Sequence, residues 1–309
     1  MPAKKTGAFR LTLPATSANL GPAFDAAALA FGLYLKLEAR PAANYAIQAT
    51  GRDEAICGQL ENHLILTTYR EVLYNNGKSP EPLALTIHND IPIGKGCGSS
   101  AAARLAGIAL ADHYGKLRWS NAQIVGEASR REHHPDNASA CWMGGLTVAR
   151  MSGEAEAQIA RIGPKGKWPL LLAVPPEPLS TEEARRVLPP QYSRADAVIN
   201  IQNSMLLLAA FTQGQPGLLT AALGDRIHQP YRARLCPLLP ALQELAGTRG
   251  ILGAVLSGAG PSVLIFLDPR AKPPAKKIAA QVAAHLQKKN LAAELFLTAI
   301  AEKGPQATR

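Results

Sequence analysis

The chain lacks most of the features that classify a protein quickly. Its four cysteines, Cys57, Cys97, Cys141 and Cys236, are scattered with no Cys-x-x-Cys pair, which argues against a zinc ribbon and against a disulfide framework. Aromatic residues make up 5% of the 309 positions, with no stripe of aromatic and basic side chains to stack and neutralise a nucleic acid. No apolar run follows Lys4 and Lys5, so secretion is not expected and the default address is the cytoplasm. The one stretch that could pass for a membrane span, 250–267, carries Ser257-Gly258-Ala259-Gly260-Pro261-Ser262 at its centre, which would break a spanning helix. Two short buried strands around a tight loop are expected there, and no membrane partner. There is no internal repeat and no low-complexity linker.

Acidic residues are scarce at the ends. The whole chain has 33 Lys and Arg against 23 Asp and Glu, a formal +10, yet residues 11–269 hold only +1 of it. Charge confined to chain ends reads as a solvated face, not as a nucleic-acid footprint.

What is present fits an α+β protein of roughly two domains at about 150 residues each, with 47% hydrophobic content. Alternation at Phe9, Leu11 and Leu13 and from Leu29 to Leu37 marks two half-buried strands around an irregular segment, Pro14 to Asp25. Helices are expected at Asn62–Tyr74 with Asn62 as N-cap, at Ala101–His113, where alanine demands close packing, and at Asn121–Arg131. Strands are expected at Leu83–His88, Gly145–Arg150 and Gln158–Ile162. The best boundary is Pro164-Lys165-Gly166-Lys167, dividing 1–163 from 164–309. Beyond it the pattern predicts strands at Leu170–Val174, Ile251–Leu256, Val263–Leu267 and Leu295–Leu297. Helices are expected at Thr181–Leu188, Ala195–Gln213 and Leu218–Ile227, after Pro240, and around Ile278, Val282 and Leu286.

Chemistry points to Pro92-Ile93-Gly94-Lys95-Gly96-Cys97-Gly98-Ser99-Ser100. Alternate glycines let a backbone adopt positive φ and approach a ligand closely. The helix start that follows offers unpaired N–H groups and a positive dipole end to a phosphate. The spacing is neither Gly-x-x-x-x-Gly-Lys-Ser/Thr nor Gly-x-Gly-x-x-Gly.

Together with Pro14–Asp25 and Leu256–Ser262, this loop resembles the three signature motifs of the GHMP kinases, which act on galactose, homoserine, mevalonate and phosphomevalonate. His134-Pro135-Asp136-Asn137, Leu179-Ser180-Thr181-x-x-Ala184-Arg185 and Gln229-Pro230-Tyr231-Arg232 are similar to the branch that takes L-homoserine. The resemblance implies a two-domain α+β fold, with a ribosomal-protein-S5-domain-2-like N-terminal ATP-binding domain and a ferredoxin-like C-terminal domain. It implies MgATP-dependent phosphorylation of the L-homoserine hydroxyl, as in threonine biosynthesis, or of another small alcohol. A homodimer is left open. Asn19 and Asp25 are expected at the amino-acid head, with Asp25 suited to its ammonium. Arg185 and Arg232 are expected on its carboxylate, with Thr181 and His134 completing the pocket. ATP is expected against Asn62, Pro92 and Gly94 to Ser100, including Lys95, Gly96, Cys97, Gly98 and Ser99, although Asn62 could be a plain N-cap and Lys95 a solvated loop lysine.

Asn137 and Arg185 stand as the catalytic candidates. Asn137 occupies the place where many relatives carry an aspartate; an amide orients a hydroxyl but takes no proton near neutral pH, so the expected reaction has no dedicated protein base. Magnesium is expected on Ser100 and Glu132, with Glu127 as the alternative. A metal cluster of His133, His134 and Asp136 is disfavoured because adjacent side chains diverge. Cys97 replaces the usual leucine, either as a thiol activated at a helix start or as a small inward-packed hydrophobe. Ala138-Ser139-Ala140-Cys141 lacks a proline common in this branch, which leaves the local backbone shape open.

Overall fold

The computed structural model describes residues 7–308; Lys4, Lys5 and Arg309 lie outside them. Two sheets organise the chain. The first contains β1 (Phe9–Ala18), β2 (Ala27–Pro41), β3 (Ala46–Gly51), β4 (Leu83–Asn89), β5 (Leu146–Met151) and β6 (Ala157–Ile162). The second contains β7 (Pro169–Val174), β8 (Ile251–Leu256), β9 (Val263–Leu267) and β10 (Glu294–Ala299), in the order β10-β7-β9-β8 with every pair antiparallel. A last strand, β11 (Gln306–Thr308), returns to pair with β1, giving the first sheet the path β11-β1-β2-β4-β3 with β5 and β6 joined to the start of β2. Residues 306–308 therefore sit with the first half of the chain.

Alternation in β4, whose Leu83, Leu85, Ile87 and Asn89 are buried between less buried neighbours, turns one face of the first sheet inward. The helices Leu64–Asn75 and Ser99–Gly115 cover it. A Cβ on Gly107 would lie 2.5 Å from the carbonyl oxygen of Ile65, so small residues in the second helix are what allow this close approach. In β8 and β9 every residue is buried, because the second sheet is covered on both faces. Leu264 and Phe266 join the core shared with the first half, and Val263 and Ile265 pack with Ile278, Val282 and Leu286 of the helix Ala275–Lys288. No helix among the described residues is long and apolar enough to cross a membrane.

Several expectations shift. β1 runs through Ala18, so the irregular segment begins at Asn19, where Asn19 and Leu20 take positive φ. The N-cap of Leu64–Asn75 is His63, not Asn62, which is itself left-handed at φ 54. The helix expected over Leu218–Ile227 is Pro216–Ala222; Asp225 then accepts from the N–H groups of Ile227, His228 and Gln229 and starts the short helix Gln229–Arg232. β3, β11 and the helix Asp136–Met143 have no counterpart in the sequence reading.

Candidate active site

The three motif segments are fastened to one another by short polar contacts. Thr16 N donates to the Cys97 carbonyl at 3.1 Å and Gly258 N to that of Ala18 at 3.1 Å. Ser257 Oγ donates to the Gly96 carbonyl at 2.7 Å, and Asn19 Nδ2 to that of Gly258 at 2.8 Å. This proximity explains the glycines beyond any ligand. At Gly96, with φ +75, a Cβ would meet the carbonyl oxygens of Ser257 at 2.2 Å and Gly260 at 2.6 Å; at Gly98 it would meet Thr16 Oγ1 at 1.9 Å.

A cavity of about 500 Å³ opens along this seam. Gly94, Gly96, Gly98, Ser99 and Ser100 form one wall, at the start of Ser99–Gly115, whose N-cap Gly98 provides no side-chain cap. Its first-turn N–H groups are thus left to an anion. Asn62 and His63, with the apolar Ile56 and Ile65, line another wall. His63 Nε2 bonds the Cys57 carbonyl at 3.1 Å, and burial lowers the pKa of the ring against that bond.

Three residues expected on the nucleotide do not line the cavity. Pro92 is buried. Lys95 reaches away to the Pro176 carbonyl. Cys97 is 1% exposed with Sγ 3.9 Å from Ser262 Oγ, and burial pushes its thiol up to about 12, so it packs inward and is not a reactive thiolate.

The opposite end of the cavity is charged. Asn19 closes the turn that presents Asp25: its Oδ1 accepts from Asp25 N at 2.9 Å while its Nδ2 holds Gly258. Asp25 receives a two-pronged contact from Arg185, NH2 to Oδ1 at 2.8 Å and NH1 to Oδ2 at 3.0 Å. Arg185, expected as catalytic, is thereby engaged by Asp25 at the charged end of the cavity. Arg232 is 1% exposed and meets only neutral groups: Nε donates to the Ala184 carbonyl at 2.9 Å, and NH1 lies 3.2 Å from His228 Nδ1 and 3.5 Å from the Gly258 carbonyl. Burial first, then neighbouring Arg185, lowers its pKa to about 10. Phe24 lies under both guanidinium groups, 5.5 Å from Arg185 and 5.2 Å from Arg232, and stacks on His228 at 5.2 Å. Thr181 lines the rim, at the start of the Ser180-capped helix Thr181–Arg186.

His134 and Asn137 lie between the two ends. His134 Nδ1 is 2.6 Å from Asp136 Oδ1; burial opposes the imidazolium, but that bond and the charges of Asp136, Asp25 and Glu132 outweigh it and raise the pKa. Asn137 Oδ1 accepts from Thr16 Oγ1 at 2.7 Å, leaving the amide N–H groups for a ligand. Ser100 Oγ donates to Glu132 Oε1 at 2.6 Å, and Arg104 Nε bonds the same oxygen at 2.5 Å. Glu127 is off the cavity: burial raises its carboxyl, but Arg130 and Arg131 overcome this and hold it below the usual range. His133 is exposed at a helix end, whereas Asp25, His134 and Asp136 bring ligand atoms within 4.8 Å of one another. Thr16, Phe24, Arg104 and His228 had no role in the sequence reading. Phe24 and Thr16 belong to the first motif, and His228 directly precedes Gln229-Pro230-Tyr231-Arg232.

A helix start without a side-chain cap facing a charged pocket, where the three motif segments meet, is what a small-molecule kinase of the GHMP class requires. The family models agree: residues 63–145 match the GHMP kinase N-terminal domain and 207–288 the GHMP kinase C-terminal domain. The chain belongs to the GHMP kinase family. Within it, the chain is 43% identical to the homoserine kinase of Solibacter usitatus, over 84% of this chain and 85% of the other. It is 36% identical to that of Synechococcus sp., over 96% and 97%. The fold matches the crystal structure of homoserine kinase from Cytophaga hutchinsonii with a TM-score of 0.82 at 21% identity, covering 100% of this chain and 99% of that one.

Proposed function

We propose that the chain is a homoserine kinase, transferring the γ-phosphoryl group of ATP to the hydroxyl of L-homoserine. The observation that carries this is the acceptor end of the cavity: a buried Arg232 without a carboxylate partner among the described residues, beside Asp25, Arg185 and His134. That set takes a carboxylate and an ammonium on one small molecule, which galactose and mevalonate do not combine. The nucleotide half is 1–163, with its phosphates against Gly94–Ser100.

Magnesium fits the residues present, because Ser100 Oγ and Glu132 Oε1 are hard oxygen donors already 2.6 Å apart beside the phosphate wall. When bound, it would neutralise charge on the phosphate oxygens. Arg104 would then have to share Glu132 with it.

The chain's own part in the transfer is positioning. His134 and Asn137 orient the acceptor between the two ends. With Asn137 Oδ1 taken by Thr16, the amide faces the reacting groups as a donor and accepts no proton. Asp136 is 1% exposed and bonded by His134 and by Asn137 N at 2.6 Å. The hydroxyl proton therefore passes to an oxygen of the transferred phosphoryl group. The reading needs no nucleic acid, membrane or second copy of the chain, and it suits a cytoplasmic enzyme. Phosphorus NMR of a mixture of protein, MgATP and L-homoserine tests it: a new phosphomonoester on the homoserine hydroxyl supports it, and ATP hydrolysis alone, without that ester, refutes it.

A further inference from the structure

The two groups assigned to the acceptor's opposite charges hold each other. Asp25 gives both carboxylate oxygens to the Arg185 fork, at 2.8 and 3.0 Å, and both side chains remain about one-third exposed. Asp25 is fixed by its turn, with φ 53 and its N–H on Asn19, whereas Arg185 belongs to the short helix Thr181–Arg186 across the cavity. Arg232 is the opposite case, a buried guanidinium held by neutral groups and open to an anion.

From this we propose that the Asp25–Arg185 pair selects for acceptors that carry an ammonium and a carboxylate together. The proposal rests on the functional reading above and concerns how the two ends of that site communicate. An acceptor with only an ammonium must displace Arg185 from Asp25 and leaves that guanidinium unpaired beside Arg232. An acceptor with only a carboxylate draws Arg185 toward Arg232 and strands Asp25. A zwitterion does neither: its ammonium replaces Arg185 on Asp25 while its carboxylate receives the released fork together with Arg232. One ion pair becomes two and no charge is stranded. The two ends of the ligand therefore bind with positive coupling, although they touch different residues.

The pair makes a prediction of unusual sign. Arg185→Gln frees Asp25, so propanolamine, which is L-homoserine without its carboxylate, binds more tightly than to wild type while L-homoserine binds less tightly. Asp25→Asn frees Arg185 and does the same for γ-hydroxybutyrate, L-homoserine without its ammonium. Each single-charge ligand gains about three- to tenfold, the scale of a partly exposed bidentate ion pair. Titration of the full chain followed by NMR reads all three ligands on wild type and both variants, with melting temperatures as the folding control. Unchanged or weaker propanolamine binding to folded Arg185→Gln overturns the proposal. Should the variants fail to fold, a four-ligand cycle on wild type, with uncharged 1-propanol as the fourth corner, decides: L-homoserine bound more tightly than the two single-charge ligands predict additively relative to 1-propanol supports coupling, and strict additivity overturns it. Absence of L-homoserine turnover by wild type overturns the functional reading itself, whereas turnover with additive binding overturns only the coupling.

Discussion

Replacing Arg232 by methionine is expected to separate stability from substrate binding. The guanidinium is 1% exposed, its shortest contact is to the Ala184 carbonyl at 2.9 Å, and it has no carboxylate partner among the described residues. Burial and Arg185 lower its pKa well below the usual arginine range, to about 10, which corresponds to about 3 kcal/mol against the charged form. Methionine keeps most of the side-chain reach and removes that cost. It also gives up the contacts to Ala184, Gly258 and His228, a loss of about 1–3 kcal/mol. The two contributions nearly cancel, so the melting temperature moves by less than about 5 °C. L-homoserine, by contrast, loses the buried partner of its carboxylate, a loss of about 2–5 kcal/mol. Its KM rises by about thirtyfold to several thousandfold, with little change in the KM for ATP. Thermal denaturation and coupled ADP-release kinetics on the same preparation check both halves. A fall in melting temperature beyond about 10 °C, with the KM for L-homoserine within about threefold of wild type, would show that Arg232 is a structural cation and refute the reasoning.

Three further outcomes follow from the same geometry. Gly96→Ala is expected to cost far more stability than Gly94→Ala, because a Cβ at 96 strikes two backbone carbonyls within 2.6 Å while one at 94 meets only the Pro178 side chain at 3.2 Å; urea unfolding of the pair tests this, and equal losses would contradict it. Cys97 is expected to resist alkylation in the native protein with or without MgATP, and to react after unfolding, since its thiol is buried and its pKa raised; labelling read by mass spectrometry decides. For His134 the folded pKa lies above the ordinary 6.5, so its ionic contribution is complete below about pH 6.5 and disappears as pH rises through the folded value. The stability advantage of wild type over His134→Asn should accordingly shrink on going from pH 6 to pH 9, and an advantage that grows with pH would contradict the assignment.

The strands of the second sheet and the helix carrying Ile278, Val282 and Leu286 were legible because burial on one or both faces imposes a simple hydrophobic pattern. β3 was not: its burial alternates only weakly, and it is held by parallel pairing to β4. β11 is three residues long and makes sense only once β1 is in place to receive it. At the site, the motif glycines were legible as a ligand loop, but their contacts with Ser257, Gly260 and Thr16 join residues more than 80 positions apart. Lys95 and Cys97 sit inside the right motif, yet a backbone that faces a ligand sends some of its side chains elsewhere, here to Pro176 and toward Ser262. Both Glu127 and Glu132 are paired with arginines, but only Glu132 lines the cavity, beside Ser100, a difference set by rotation about one helix. The mutual pairing of Asp25 and Arg185 lies 160 residues apart and needed coordinates.

The cavity's charged end is expected to make L-homoserine the preferred acceptor. Initial rates of ADP release with L-homoserine, mevalonate, galactose and L-threonine, at saturating MgATP, test it most directly. The expected kcat/KM for L-homoserine is at least about a hundredfold above that for each of the others. A comparable or higher value for galactose or mevalonate, neither of which carries an ammonium for Asp25, would contradict it.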